Sequence, residues 1–187
     1  MKFTIKCNSL VKQNSINSPL GDGGMKELLQ QFSVYNAWAN GLLKDVIIPM
    51  PEEKQLREIP SSFGSLHKTV LHMWDAESIW WQRLKLQERI IVQSENFNGN
   101  TKDAFDGLLL QNKQWNEFLA NVQERQLQHE FIYRNSKKEQ FKQPVFQMLL
   151  HVFNHGTYHR GQLVNILRQL YIDKIPQTDF IIWSRKM

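Results

Sequence analysis

The chain has 187 residues, of which 41% are hydrophobic and 22% are charged, and its formal net charge is +5. These values fit one soluble globular domain, and no run of about 18 apolar residues that would span a bilayer is present. The single cysteine, Cys7, excludes an internal disulfide and a cysteine-rich zinc site, so a metal ion would need nitrogen or oxygen ligands. Because the basic residues form no stripe interleaved with aromatic residues, we expect no nucleic-acid partner. Because no segment is apolar enough to span a bilayer, we also expect no membrane partner and a cytoplasmic location.

The first 24 residues differ in composition from the rest of the chain. They contain scattered polar and basic residues, Pro19 and the run GDGG at 21–24, without a sustained apolar period. This composition predicts a mobile extension, and its apolar stretches are too short for a secretory signal. A helical pattern begins at Met25, which is a candidate translation start. The sequence therefore predicts a mobile extension over residues 1–24 and one domain over residues 25–187.

Four long segments carry apolar residues at helical spacing. The first runs from residue 25 to about residue 46 and the second from about 63 to 86, with a proline-rich connection between them. Thr101 is the predicted N-cap of the third helix, which ends near residues 120–124. Pro144 suits the first turn of the fourth helix, which continues to about residue 171. The prolines of the first connection are Pro49, Pro51 and Pro60.

The segment between the third and fourth helices has a different period. Residues 129–143 form two short alternating runs around Asn135 and Ser136, which is the pattern of a β-hairpin. Pro176 follows the fourth helix and begins a tail that ends in FIIW at 180–183. The sequence therefore predicts an all-α protein, a four-helix bundle with a short hairpin before the last helix. Bundles of this kind often hold metal ions between facing helices.

Three of the six histidines, His151, His155 and His159, stand four residues apart on the fourth helix. Neighbours at this spacing lie roughly 40° apart and one turn along, so their imidazoles can converge on one ion. His151 and His159 are about 12 Å apart along the axis and cannot both bind it. The apolar arc of the helix includes His155 and His159, whereas His151 lies at its margin. The spacing therefore favours His155 and His159 as ligands, with His151 as a supporting or surface residue.

Two imidazoles rarely hold an ion firmly, so a third ligand is expected from another helix. His72 borders the core face of the second helix and is the candidate, whereas His67 falls on the far side. Asp75 is either a ligand, a partner for an imidazole N–H, or a solvated acid. Gln162 is a candidate to touch a metal-bound water. A single inward histidine is more often a core residue than a ligand, but two at this spacing favour a metal site.

Several other residues are candidates for roles near the site. Asn36 is a weak candidate for orienting a ligand, as are Asp75 and Gln162. Arg160 lies away from the core arc, where it would either bind a substrate carboxylate or form a contact between helices. The contact between helices, a structural role, is favoured. Aromatic residues at helical spacing are usually core, so the following are assigned no chemistry: Tyr35, Trp38, Trp74, Trp80 and Trp81.

Four segments in order carry a resemblance to a known family: YNAWANGLL at 35–43, SSFGSLHKTVLHMWDAESIWWQRL at 61–84, NHGTYHRGQL at 154–163 and PQTDFIIW at 176–183. Through them, about residues 25–185 resemble the DinB/YfiT-like superfamily of bacterial four-helix bundles with a bound divalent metal. The resemblance implies His72, His155 and His159 as the three metal ligands. The pair on the last helix is the pair that its apolar face favours.

The resemblance also implies a function for the site. Three neutral imidazoles leave coordination positions open, as in catalytic rather than structural metal sites. Relatives are thought to act on low-molecular-weight thiols, so the first hypothesis is a metal-dependent thiol S-transferase or hydrolase with a small-molecule substrate and no assigned catalytic residue. The alternatives are a non-catalytic, stress-linked metal or small-molecule binding protein and an interaction module without a metal. One divalent ion is expected, with zinc or nickel favoured over cobalt and iron, and a homodimer is expected because dimers are common among relatives.

Overall fold

The structure of the protein is a computed structural model that describes residues 24–135 and 137–186. The predicted mobile extension lies outside the described residues except for Gly24, which is the first residue of a helix, and Ser136 of the predicted turn also lies outside them. In chain order the helices are α1 (Gly24–Ile47), α2 (Glu52–Leu56), α3 (Leu66–Leu84), α4 (Thr101–Asn121), α5 (Glu124–Leu127), α6 (Val145–Gln169) and α7 (Phe180–Ser184). The strands β1 (Glu130–Arg134) and β2 (Gln140–Pro144) precede α6, and a 3-10 turn spans Gln93–Asn96.

The four long helices form the predicted bundle. Helices α1 and α3 each pack against both α4 and α6, so α1 lies diagonally opposite α3. Strands β1 and β2 pair antiparallel, with Phe131 opposite Gln143, and confirm the predicted hairpin. The backbone N–H of Val145 donates to the carbonyl of His129, which fixes the hairpin to the start of α6. None of the helices in the described part of the chain is long and apolar enough to span a membrane.

The caps of the long helices account for their observed starts. Ser65 caps α3 by accepting a hydrogen bond from the backbone N–H of Lys68. Thr101 was the predicted N-cap of α4, and this prediction is wrong because Asn100 and Asp103 form a capping box, each side chain accepting from the other's backbone N–H. Pro144 lies at the end of β2 and caps α6 rather than occupying its first turn, so the helix begins at Val145. A proline at the end of a strand removes no needed ladder bond.

Four short elements were not predicted. Helices α2, α5 and α7 and the 3-10 turn span four or five residues each, which is too short for an apolar period to show in the sequence. They are held by tertiary contacts. For example, Trp183 of α7 packs with Tyr35 and Ala39 of α1, and the Tyr35 hydroxyl donates to the carbonyl of Thr178 at 2.6 Å. Helix α7 therefore ties the C-terminal segment to α1.

Besides the small cluster where α7 meets α1, the core of the bundle has two larger apolar clusters with a buried polar layer between them. One cluster is centred on Leu43, Met73, Leu108 and Leu163, and the other on Leu29, Trp115, Leu119 and Phe153. On each long helix the polar layer falls between residues of the two clusters. Its members are Asn36, Asn40, Glu77, Asn112 and Arg160, all buried.

Candidate metal centre

Three histidines from two helices converge at the contact between α3 and α6. His72 lies on α3, whereas His155 and His159 lie one turn apart on α6. One ring nitrogen from each of the three lies within 4.8 Å of the others. The Nε2 atoms of His155 and His159 are 3.0 Å apart, and the ring centroids of His72 and His159 are 4.6 Å apart. The structure therefore brings together the three residues that the sequence singled out, in a group that could hold a metal ion.

Two residues that flank the cluster fix the orientation of its rings. The Oε1 atom of Gln162 lies 2.8 Å from Nδ1 of His159, so Nδ1 carries the proton and the lone pair of Nε2 faces the cluster. The Nε2 atom of Gln162 donates in turn to the hydroxyl of Ser62 at 2.9 Å. Phe63 stacks on His72 with ring centroids 3.9 Å apart. Gln162 thus orients His159, which is one of the two roles that the sequence suggested for it. The other was contact with a metal-bound water.

The local environment keeps the imidazoles neutral at physiological pH. Burial, reinforced by the neighbouring His159, lowers the pKa of His72 to about 4. Burial and the same neighbour lower the pKa of His155 to about 4. Burial also lowers the pKa of His159, although its bond to Gln162 opposes the shift. Neutral imidazole is the form that binds metal ions, so these residues are in the ligating state without loss of a proton.

The remaining sequence candidates lie outside the cluster. His151 is exposed, and its ring packs against Trp80 with centroids 5.3 Å apart, next to His155 but not among the three converging nitrogens. His67 faces the other side of α3, where Nδ1 lies 3.1 Å from the Thr101 hydroxyl. Asp75 is buried and accepts a hydrogen bond from the backbone N–H of Ser94 at 2.9 Å. It therefore anchors the 3-10 turn to α3 and is not a solvated acid. Asp75 is not among the three converging groups, and it makes no hydrogen bond to an imidazole in the described part of the chain.

One cavity borders the cluster at His72. An open cavity of about 330 Å³ is bordered by His72 together with Phe63, Leu71 and Asp75. A small molecule can therefore approach one of the three imidazoles from solvent, whereas His159 is only 3% exposed. A larger cavity of about 540 Å³ lies between Trp81 and Phe118, away from the histidines.

A closed ring of hydrogen bonds lies next to the cluster and joins all four long helices. Arg160 donates through one guanidinium nitrogen to the side-chain oxygens of Asn36, at 2.5 Å, and Asn40, at 3.1 Å. The amide of Asn36 donates to one carboxylate oxygen of Glu77, and that of Asn112 donates to the other. The amide of Asn40 closes the ring by donating to Asn112 at 2.9 Å. We call these five residues the polar ring.

The polar ring corrects two expectations. Arg160 was placed away from the core arc, but it is 1% exposed because α6 is enclosed by α1 as well as by α3. Its role is structural, as was favoured, since it closes a contact between α6 and α1. Asn36 belongs to this ring and does not orient a histidine. Burial raises the pKa of Glu77 to about 7, although its bonds to Asn36 and Asn112 and the charge of Arg160 oppose the shift.

Sequence reasoning missed Glu77, Asn40 and Asn112. The available signal was a polar residue at a position where the helical period calls for an apolar one. Glu77 follows Met73 by four residues, and Asn112 follows Leu108 by four. Phe63 and Ser62 were also missed as neighbours of the histidines, because they precede α3 and no period links them to α6.

The first testable prediction concerns Gly156, the residue after His155. A Cβ atom there would lie 2.7 Å from Oδ1 of Asn36 and 3.2 Å from a guanidinium nitrogen of Arg160. Because the polar ring holds both atoms, we expect Gly156→Ala to lower the free energy of unfolding by about 1–3 kcal/mol. Gly161→Ala is the matched control on the same helix, since a Cβ there meets nothing within 4 Å, and it should stabilise by about 0.5–1 kcal/mol. Urea titrations of both variants give the comparison, and equal effects would contradict the packing argument.

Comparisons with known proteins identify the family and agree with the fold. The sequence model of the DinB family matches residues 25–180. Protein DinB of Bacillus subtilis (strain 168) is 30% identical over 155 residues, which cover 78% of this chain and 87% of that protein. The crystal structure of a DinB-like protein from Bacillus cereus ATCC 10987 superposes with a TM-score of 0.64 at 19% identity, covering 81% of this chain and 95% of that chain. At that identity the likeness shows the fold alone. The chain belongs to the DinB family.

Proposed function

We propose that His72, His155 and His159 bind one divalent metal ion. We further propose that the protein is a thiol S-transferase that depends on this ion. The observation that carries the proposal is the convergence of three ring nitrogens within 4.8 Å of one another. Three uncharged nitrogen donors are a common ligand set for catalytic zinc and also suit nickel. Zinc and nickel are therefore the ions to test first.

The residues around the cluster fit a bound ion. A ligating histidine usually donates its other ring N–H to a fixed acceptor, and Gln162 provides that acceptor for His159. The lowered pKa values of His72 and His155 mean that protons compete weakly for the ligand nitrogens. Phe63 covers one face of His72 and limits the directions from which water can reach it.

The choice of a transfer reaction rests on the open side of the cluster. When bound, a divalent ion of this kind supplies Lewis acidity, which polarises a carbonyl and lowers the pKa of a coordinating water or thiol. The cavity beside His72 has room for a small molecule. Three uncharged histidines would not neutralise the charge of the ion, which would therefore remain available to attract a thiolate. In the transfer, a sulfur–carbon bond forms, the bond from that carbon to its leaving group breaks, and the thiol proton passes to solvent. Hydrolysis of a small ester or amide would use the same layout, with water in place of the thiol.

A panel assay tests this activity. Zinc-loaded and nickel-loaded protein is incubated with cysteine, glutathione and other small thiols against 1-chloro-2,4-dinitrobenzene, and loss of thiol and release of chloride are measured together. The same preparations are assayed on small activated esters. We expect consumption of one substrate class by the loaded protein and none by chelator-treated protein or by the His155→Ala variant. Metal binding without turnover on either class would instead favour a non-catalytic metal-binding protein.

A second prediction concerns Gln162. We expect Gln162→Ala to retain a metal site but to weaken zinc affinity by about 10- to 100-fold, because the variant loses the acceptor that orients His159. Competition with a fluorescent zinc chelator measures the affinity. His67→Ala is the matched control, since His67 is a half-buried histidine on α3 that faces away from the cluster, and it should leave the affinity unchanged. Equal affinities of wild type and Gln162→Ala would show that Gln162 does not support the site.

A further inference from the structure

A second cavity lies where the C-terminal end of α3 meets the hairpin. Its volume is about 310 Å³, and its wall combines apolar side chains with two arginines. We call it the hairpin groove, and the residues that carry the argument are Arg83, Leu86, Ile90, Ile132, Tyr133 and Arg134.

Arg83 is held in place by aromatic rings rather than by an acid. Its guanidinium carbon lies 4.6 Å from the ring centroid of Trp80 and 5.4 Å from that of Tyr133. Its Nε atom is buried and has no hydrogen-bond partner among the described residues. Glu88 also borders the groove, but within residues 24–135 and 137–186 neither Arg83 nor Arg134 forms an ion pair. Arg83 thus presents a cationic hydrogen-bond donor held by two aromatic rings, and the exposed Arg134 adds a second positive charge that no acid pairs within the described residues.

The apolar wall of the groove is unusually open to solvent. The side chain of Leu86 is 71% exposed, and that of Ile132 is 53% exposed. Leu86 also has a φ of +53°, which costs free energy for a residue other than glycine. Adjacent exposed apolar side chains with polar groups beside them are typical of binding sites.

One aromatic side chain, Trp80, links a residue of the groove to the histidines. Trp80 contacts the guanidinium of Arg83 on one side and the ring of His151 on the other, with centroids 5.3 Å apart in the second contact. The ring of His151 lies 5.7 Å from that of His155. Direct contacts therefore connect Arg83 of the hairpin groove to the edge of the cluster.

We propose that the hairpin groove binds a small molecule that has an apolar body and a carboxylate. The planar guanidinium of Arg83 matches a carboxylate with two parallel hydrogen bonds, and Arg134 adds a second positive charge at the rim. Leu86, Ile90 and Ile132 would cover the apolar body. The binding of this molecule in the groove is independent of the proposed function. Its role as a substrate of the histidine site rests on the proposed function.

Isothermal titration of the full chain with two matched probes tests the proposal. 2-Naphthoate has the apolar body and the carboxylate, whereas 2-naphthamide has the same body without the charge. We expect naphthoate to bind at least tenfold more tightly than naphthamide. We expect Arg83→Met to reduce this difference to about threefold or less, because only the charge of Arg134 remains, while leaving naphthamide binding unchanged. We expect Ile132→Ser to weaken both probes alike. Arg125→Met, an exposed arginine outside the groove, is the control for a general change of charge and should bind both probes as wild type does.

Equal affinity of the wild type for the two probes would overturn the proposal, as would an unchanged preference in Arg83→Met. A groove covered by a second copy of the chain would bind neither probe, and this result overturns it as well. Thermal melts of each variant exclude misfolding as the cause of lost binding. The titrations are repeated with His155→Ala, which should bind naphthoate as wild type does. Failure of the metal site and failure of the groove are therefore separate results.

Discussion

Replacing Arg160 by methionine is expected to lower the free energy of unfolding by about 3–5 kcal/mol. The guanidinium is almost fully buried and supplies the hydrogen atoms that Asn36 and Asn40 accept. Without it, both amide oxygens lose a donor inside the core, and Glu77 loses the only cation in the polar ring. Methionine fills a similar volume, so the loss reflects the missing charge and hydrogen bonds more than a cavity.

Arg168→Met is the matched control, because Arg168 lies on the same helix but is exposed near its end. We expect it to change the free energy of unfolding by less than about 1 kcal/mol. Guanidinium chloride titrations of both variants measure the difference. In the double variant Arg160→Met/Glu77→Gln, part of the loss should be recovered, because the glutamine does not leave a charge buried without a partner. A loss for Arg160→Met no greater than that for Arg168→Met would show that the polar ring contributes little to stability.

Zinc is expected to stabilise the wild-type protein by about 4 kcal/mol when its free concentration is about 1,000 times the dissociation constant. The physical reason is that the three nitrogens converge only in the folded chain, so the ion binds the folded state and not the unfolded one. His155→Ala should gain almost nothing under the same conditions. Thermal melts with and without buffered zinc provide the measurement.

His151→Ala is the matched control for this experiment. His151 stands one turn before His155 on α6 but lies outside the three converging nitrogens, so its variant should gain as much from zinc as the wild type. If His155→Ala gained as much as His151→Ala, zinc would be binding elsewhere. If His151→Ala lost the gain as well, the ligand set would be larger than the three histidines.

The long elements were predictable because their signals repeat. Apolar residues at helical spacing gave α1 and α6 to within two residues at most ends, and the alternating runs at 129–143 gave the hairpin. Helix ends depend on single side chains, which explains why the cap of α4 was assigned to Thr101 rather than to Asn100. The short helices have no repeat, and their positions depend on contacts such as that of Trp183 with Tyr35.

The histidine cluster was predictable within one helix but not between helices. The spacing of His155 and His159 fixes their common face, whatever the rest of the chain does. The side of α3 that faces α6 had to be inferred from its apolar arc and from the family resemblance, and His72 was the residue that both indicated. The predicted homodimer and the predicted mobility of the N-terminal extension remain predictions.

The polar ring shows where a helical wheel fails. A wheel places polar residues towards solvent, so Arg160 was assigned to the outside of α6. In the bundle, its partners Asn36 and Asn40 are polar residues on the inner side of α1. Arg160 can be buried because these two side chains accept its hydrogen bonds, and a wheel of α6 alone does not include them. Arg160, the member of the ring that follows His159 in sequence, joins α6 to α1 through these two bonds.

Elemental analysis of untagged protein tests the central claim most directly. We expect about one zinc or nickel ion per wild-type chain after loading and dialysis, almost none in His72→Ala or His155→Ala, and the wild-type content in His67→Ala. This pattern would establish the three-histidine metal site. No ion in the wild type after loading with either metal, or equal content in all four proteins, would contradict it.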